Sequence, residues 1–372
     1  MTDIPETFNA NNAKIKVLVA PLDWGLGHAT RCIPIIRQLL KADYEVLIAA
    51  EKAQAQLLQD EFPLLRHVPL RGYRLKLGGK SVNTTLKILV QIPKILIQIN
   101  REHRWLKIFL KKEHVHAVIS DNRYGLHSKK IISIFITHQL CIKTPFGKTF
   151  EKKLQRLNYH FIDKFSMCWV PDFSNENPLA GHLSHPSTLP ATPVRYVGPL
   201  SRFEKKEAPC IYRLLILLSG PEPARTILEK ILLKKLESFN EKIIFVRGLP
   251  GEKKIIPSAP NVEMYNHLSA SRLNEKICQS SLVICRSGYS TVMDLTKLGK
   301  KCILIPTPRQ TEQEYLADYL FQKKIALKVN QKDFSLPQAL VAAEQFSFVK
   351  QEHQDDQLLE AAIRALTKTL YN

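Results

Sequence analysis

The chain has 372 residues and a formal net charge of +20; 45% of its residues are hydrophobic and 24% charged. That length exceeds one ordinary domain and fits two, and the composition is that of a chain able to bury a core rather than of a disordered one. No apolar run reaches the roughly 18 residues that span a bilayer, no basic segment with an apolar core opens the chain as a secretory leader would, and seven cysteines without a CxxC pair argue for free thiols in a reducing compartment rather than disulfides or a zinc site.

Short β-branched runs alternate with helical patterns, which predicts parallel sheets covered by helices. The first strand is expected at Lys14–Ala20. The tract behind it, Pro21-Leu22-Asp23-Trp24-Gly25-Leu26-Gly27-His28, opens a helix expected to run to about Lys41. Gly25 and Gly27 let backbone approach a ligand closely, and a helix N-terminus favours negative charge. His28 stands at the helix start facing the expected cleft, where a histidine can serve as general base. The tract lacks the third glycine of a dinucleotide fingerprint, and Asp23 would oppose a pyrophosphate, so an NAD site is excluded.

A second strand is expected at Tyr44–Ala49. The stretch from Arg66 to Lys112 then carries twelve Lys/Arg against one acid, Glu102. Apolar residues between those cations fit a segment that could lie on an anionic membrane surface, or helices packed on the sheet with lysines outward. Strands at Val115–Ser120 and Ile131–Thr137 are followed by Asp121-Asn122-Arg123 and by His138, which are expected on the acceptor side of the same cleft. Strands at Met167–Val170 and Arg195–Val197 complete the first half.

Pro199 to Pro209 is polar, flanked by prolines, and reads as a linker. Alternation then restarts, with strands at Arg213–Leu218, Ile243–Val246, Val262–Tyr265, Leu282–Cys285 and Cys302–Ile305. Helices fit Ala224–Phe239, Arg272–Gln279, Ser290–Leu298, Thr311–Gln322 and Asp355–Leu370. At the first strand-to-helix turn, Ser219 and Gly220 can approach a nucleotide and Arg225 can reach a phosphate. Behind the strand at Leu282–Cys285, the segment Arg286-Ser287-Gly288-Tyr289-Ser290-Thr291-Val292-Met293-Asp294 combines hydroxyls, oriented amides and a permanent charge. Asp294 lies one helical turn beyond Ser290 and can share its face, where a carboxylate can accept both hydroxyls of a ribose. Gln313 and Glu314, behind the proline-stiffened loop at 306–308, suit sugar hydroxyls.

The domain boundaries that follow are 13–200, 210–350 and a closing helical segment 351–372. The fold class is α/β: two Rossmann-like, doubly wound domains facing a cleft.

Arg286 followed eight residues later by Asp294, with Pro306 through Gln313 and Glu314 behind it, resembles the C-terminal signature of glycosyltransferase family 28. That group holds the lipid-II-forming N-acetylglucosaminyltransferases and the diacylglycerol galactosyltransferases. Gly25-Leu26-Gly27-His28 resembles its glycine-rich loop ending in histidine, with Asp23 and Trp24 departing from the pattern; Glu314 stands where the family has a second glutamine. The resemblance covers about residues 14–345. It implies the GT-B architecture and a hexose or N-acetylhexosamine moved from a UDP-sugar to an acceptor hydroxyl, lipid-linked or membrane-associated. It further implies inversion, with His28 as base, and no metal or cofactor. It implies a cytoplasmic protein, peripheral on the inner face of the membrane. The competing readings are a UDP-sugar epimerase of the same architecture and a non-catalytic basic protein binding membrane or nucleic acid. Against nucleic acid, few aromatics interleave the basic stretch: Tyr73, Trp105 and Phe109.

Overall fold

Strand segments such as KVLVAP, EVLIAA and SLVIC are apolar on both faces, the pattern of parallel strands covered on both sides. A computed structural model describes residues 14–75, 90–174, 177–236, 239–254, 256–349, 351 and 357–371. Part of the basic stretch, residues 76–89, and the start of the expected closing helix lie outside the described residues.

The first sheet contains β1 (Lys16–Pro21), β2 (Glu45–Ala50), β3 (Arg66–Pro69), β4 (Ala117–Asp121), β5 (Ile132–Ile136), β6 (Met167–Val170) and β7 (Val194–Tyr196). All pairs are parallel, in the order β3-β2-β1-β4-β5-β6-β7. Its helices are α1 (Gly27–Lys41), α2 (Lys52–Glu61), α3 (Ile92–Lys112) and α4 (Lys148–Ile162). The second sheet contains β8 (Tyr212–Leu217), β9 (Ile243–Val246), β10 (Val262–Tyr265), β11 (Ser280–Cys285), β12 (Cys302–Leu304) and β13 (Leu327–Lys328), ordered β10-β9-β8-β11-β12-β13. Helices α5 (Ala224–Leu236), α6 (Ala270–Cys278), α7 (Tyr289–Lys297), α8 (Thr311–Gln322) and α9 (Leu336–Gln345) cover it. The last helix, α10 (Gln357–Tyr371), returns to the first domain: Thr367 meets the Tyr44 hydroxyl at 2.6 Å, and Lys41 reaches Glu360 at 3.2 Å.

Strand order reverses between β1 and β4 in one sheet and between β8 and β11 in the other. Parallel strands put their carboxyl ends on one edge, so each reversal opens a crevice there. Both crevices face the seam between the domains. There Ser290 of α7 reaches the Gly27 carbonyl at 3.3 Å, Tyr289 donates to the Pro171 carbonyl at 2.7 Å, and Thr311 to that of Lys143 at 2.9 Å.

One buried pair fixes the loop between β4 and β5. Arg123 donates to Glu102 of α3 at 2.8 Å and to the carbonyls of Pro21 and Arg71. Glu102 also accepts from the Tyr73 hydroxyl at 2.9 Å and the Gly125 amide at 3.2 Å. Both residues are 1% exposed. Six of the seven cysteines are buried and all are free. No helix among the described residues is long and apolar enough to cross a membrane.

Removing one partner from a buried ion pair strands the other's charge. Arg123→Met is therefore expected to cost about 3–5 kcal/mol of stability in urea denaturation at pH 7. Burial pushes the Glu102 carboxyl up and Arg123 opposes that. In the variant the cost shrinks as pH falls and Glu102 takes up a proton; an equal loss at pH 4 and pH 7 would contradict the assignment.

Candidate functional site

Helix α1 starts two residues after Gly25, whose φ of +71° is a left-handed turn conformation. No side chain caps α1. His28 sits in its first turn and Arg31 one turn on, the spacing that puts both on one face. Opposite them, at the end of the neighbouring strand β4, is Asp121, paired in register with Pro21 of β1. Arg31 holds the Asp121 carboxylate with two donors, Nε at 2.6 Å and Nη2. His28 Nδ1 lies 3.2 Å from Asp121 Oδ1 and 2.8 Å from Arg31 Nη2. The two neighbours select opposite tautomers: Asp121 accepts a proton on Nδ1 and frees Nε2 as a base, whereas Arg31 donates to a bare Nδ1.

Burial pulls the His28 pKa below its ordinary value; Asp121 opposes the shift and Arg31 adds to it. For Asp121, burial alone would raise the carboxyl, but Arg31 and His28 outweigh it and hold it below the usual range. The result is a permanent carboxylate beside a histidine that is neutral at physiological pH.

The other half of the site comes from the turn after β11. Gly288 sits in an extended conformation just before α7, which has no side-chain cap, and a side chain added at Gly288 would meet open space. Ser287 is buried and donates to the Gln313 carbonyl at 2.8 Å, tying the turn to α8. Ser290 faces Gly27, and Thr291 follows it in the first turn of α7. The amino ends of α1 and α7 thus confront each other across the seam.

Around them is a cavity of about 440 Å³, lined by His28, Asn122, His138, Tyr289, Ser290 and Glu312 among others. Asn122 is left-handed, at φ +55°. His138 stacks on Tyr289 with ring centroids 4.2 Å apart, and its Nε2 is 2.9 Å from Glu312 Oε1.

Several residues expected at the ligand do other work in this structure. Arg286 turns inward and donates to the carbonyls of Ile305, Pro306 and Ala224 and to Gln331, so its charge secures the strand ends rather than facing the cleft. Arg225 is held by Glu222 at 2.5 Å and Glu229 at 3.2 Å. Arg123 belongs to the buried Glu102 pair described above. Asp294 does not point at the open cavity: it accepts from Ser201 of the linker at 2.5 Å beside Arg202, and burial pushes its carboxyl up to about 6. Gln313 accepts from the Thr307 amide at 2.9 Å and Glu314 from that of Arg309 at 2.8 Å, so both shape the loop before α8. Ser219 and Gly220 end the β8 turn, where Gly220 has φ +103° and open space around it.

Arg31, Ser201 and Arg202 are not singled out by the sequence. Arg31 had a local signal, its helical spacing from His28. The others matter only because the two domains dock.

Residues 220–367 match the glycosyltransferase family 28 C-terminal domain. The chain is 28% identical over 352 residues, covering 92% of it and 91% of the relative, to a UDP-N-acetylglucosamine--N-acetylmuramyl-(pentapeptide) pyrophosphoryl-undecaprenol N-acetylglucosamine transferase of Glaesserella parasuis. It is 22% identical over 354 residues to the protein of that name in Haemophilus ducreyi, covering 92% and 91%. Among solved structures it superposes on the MurG of Acinetobacter baumannii with a TM-score of 0.56 at 15% identity, over 95% of this chain and 100% of that one. The glycotransferase of kitacinnamycin superposes at 0.65 with 12% identity, over 96% and 95%.

A Cβ placed on Gly27 would approach Ser290 Oγ to 2.7 Å. Gly27→Val is expected to hold the domains apart, measured as a larger radius of gyration by small-angle scattering. The added Ser290→Gly should restore the parent value; no change in either chain would mean that the seam does not close at this contact.

Proposed function

We infer that this chain, a glycosyltransferase of the GT-B fold with a family 28 C-terminal domain, moves a hexose or N-acetylhexosamine from a UDP-sugar to an acceptor hydroxyl. The observation that carries the reading is the His28–Asp121 pair set beside the uncapped amino end of α7, with His28 and Ser290 both lining the 440 Å³ cavity. The amides at Gly288, Tyr289 and Ser290, with those near Ser219 and Gly220, would take the charge that grows on the departing diphosphate. Asp121 would fix the proton on His28 Nδ1, leaving Nε2 to accept the proton of the acceptor hydroxyl. Attack from the first-domain side on a donor held by the second would invert the anomeric carbon. All the charge is handled by amides and side chains in this scheme, with no metal or cofactor.

Asp294 would hold the ribose by exchanging the Ser201 hydroxyl for those of the nucleoside. Arg202 beside it would keep the carboxylate charged. Gln313 and Glu314 would meet the donor sugar. On the acceptor side stand Asn122 and His138, with Gly25 and Gly27 giving the backbone its close approach.

The outer face of α3 supports peripheral binding to an anionic membrane. Lys94, Arg101, Arg104, Lys107 and Lys111 are exposed there, with Ile97 and Ile108 also exposed among them. Each cation near such a surface contributes on the order of 1 kcal/mol.

His28→Ala is expected to lower kcat about 10²–10⁴-fold, the range for loss of a general base, with UDP affinity within twofold of the parent by calorimetry. Asp294→Ala should instead weaken UDP binding; unchanged affinity would remove its ribose role. The acid limb of the kcat profile should lie below pH 6.5, because burial lowers the His28 pKa. In Asp121→Asn the limb should move lower still, since Asp121 raises that pKa, and kcat should fall with it. Flotation with phosphatidylglycerol vesicles should be lost as salt shortens the screening length below about 8 Å; salt-insensitive flotation would argue against a charge-driven contact.

A further inference from the structure

Three groups beside the cleft share the donors of one arginine. Arg31 carries a planar guanidinium with five N–H donors, no acceptor and a permanent charge. It is 2% exposed and Asp121 is fully buried. Nε and Nη2 fork the Asp121 carboxylate, Nε at 2.6 Å. The far end of the guanidinium is turned to two imidazoles. Nη2 lies 2.8 Å from Nδ1 of His28, and Nη1 lies 3.4 Å from Nδ1 of His138.

A ring nitrogen that bonds to a guanidinium must be bare, because the guanidinium only donates. A neutral imidazole with a bare Nδ1 carries its proton on Nε2. His138 fits this at its other end, where Nε2 is 2.9 Å from Glu312 Oε1. Burial pushes the Glu312 carboxyl up, but His138 outweighs that and holds it below its usual range, so the carboxylate accepts the Nε2 proton. His28 is set in the same way. Its Nδ1 is nearer to Arg31, at 2.8 Å, than to Asp121, at 3.2 Å, and a proton on Nδ1 would oppose the Nη2 hydrogen. The remaining neighbours leave the balance alone: the Cys32 thiol stands 4.0 Å from Asp121, and the Tyr289 hydroxyl is turned to the Pro171 carbonyl.

We propose that Arg31 is a positioning residue that selects the Nε2–H tautomer of His28 in the empty cleft and so keeps the base from activating water. This rests on the reading of His28 as the base of a UDP-sugar transferase. With its proton on Nε2 the ring can donate into the cleft but cannot accept there. Transfer needs the other tautomer, with Nδ1–H on Asp121 and Nε2 bare. The fork on Asp121 need not break for that. One Nη2 contact lengthens, with His138 Nδ1 as the other taker, and the ring trades its Nε2 proton for one on Nδ1 through solvent. Without the restraint, water would stand in for the acceptor hydroxyl. Its oxygen would bond to the anomeric carbon as that carbon's bond to the β-phosphate oxygen breaks, UDP would leave with the electron pair, and the water proton would pass to Nε2.

The test compares the full chain with Arg31→Lys, which keeps a cation for Asp121 but loses the donors aimed at the imidazoles. Nitrogen NMR of isotope-labelled histidine is recorded at mildly alkaline pH, where His28, whose pKa burial lowers, is neutral. The His28 signals are those missing from His28→Gln. In the parent, Nδ1 should resonate as a bare nitrogen and Nε2 as a protonated one; in Arg31→Lys the two should change places. Without acceptor, hydrolysis of UDP-N-acetylglucosamine, UDP-glucose or UDP-galactose should rise about tenfold in Arg31→Lys, the bias that one hydrogen bond to a charged group puts on the tautomer. Adding His28→Gln should abolish that rise. A protonated Nδ1 in the parent overturns the proposal, as does an even mixture of tautomers, or a lysine variant with the parent's tautomer or hydrolysis rate. If Arg31→Lys does not fold, the parent's spectrum decides alone. Hydrolysis that persists unchanged in His28→Gln would end the reading of His28 as the base and leave the tautomer assignment standing on the spectrum.

Discussion

The amino ends of two helices meet at Gly27 and Ser290, and the site depends on that meeting. Each helix presents unsatisfied N–H groups and about half a positive charge at its start. Neither α1 nor α7 spends a side chain on capping those groups. Two like-signed ends brought together repel unless something negative lies between them or other contacts press them close. The structure supplies the second: the Tyr289 ring on His138, the His138–Glu312 contact, and the hydroxyls of Tyr289 and Thr311 on first-domain carbonyls. In the proposed reaction a nucleoside diphosphate would supply the first. Glycine at position 27 is what makes so close an approach possible, because any Cβ there enters the space of Ser290.

The source of the positive field follows from the fate of the cations. A chain of net charge +20 has many to offer a phosphate, yet those nearest the cleft are committed. Arg31 serves Asp121, Arg225 serves Glu222 and Glu229, and Arg286 serves backbone carbonyls. In the proposed reaction backbone amides would then carry the stabilisation, and would do so without moving. Fixed dipoles in a water-poor cleft need no reorganisation when charge develops, and this is how such sites gain most of their effect. The buried arginines contribute indirectly, by locking the strand ends that aim the amides.

The strands were legible in sequence because parallel strands covered on both faces are short, β-branched and continuous; Val115–Ser120 and Leu282–Cys285 fall on β4 and β11. The edge strands β3 and β13 leave no pattern: RHVP holds one β-branched residue, and β13 is two residues long. Helix α4 carries charges close along its length and offers no side-chain cap, so little marks it locally. At the site, glycine-bearing turns and His28 could be read because their chemistry is local. The direction of Arg286 and the partner of Asp294 could not, since both depend on segments at least 19 residues away or on the linker. A motif states which residue types are present; the fold decides which of them remain free.

The closed seam also implies that the domains must part for the site to be used. Ser290 touches the Gly27 carbonyl, so the amides of α7 that would receive a diphosphate lie against α1 with no room between them. This state is held by the contacts named above, by the His182 amide donating to the Tyr315 hydroxyl at 2.7 Å and the Tyr319 hydroxyl to the Pro178 carbonyl at 2.8 Å, and by one apolar cluster that joins Leu179 and Leu183 to Leu316 and Leu320. The helix α10 has a different role. Its apolar face, with Leu359, Ile363 and Leu366 buried, packs beside α1 and keeps the second domain's chain end on the first. A strap behind the seam keeps the domains joined when they part. The cleft can then admit a donor and close over it while the His28–Asp121–Arg31 cluster, confined to one domain, keeps its geometry throughout.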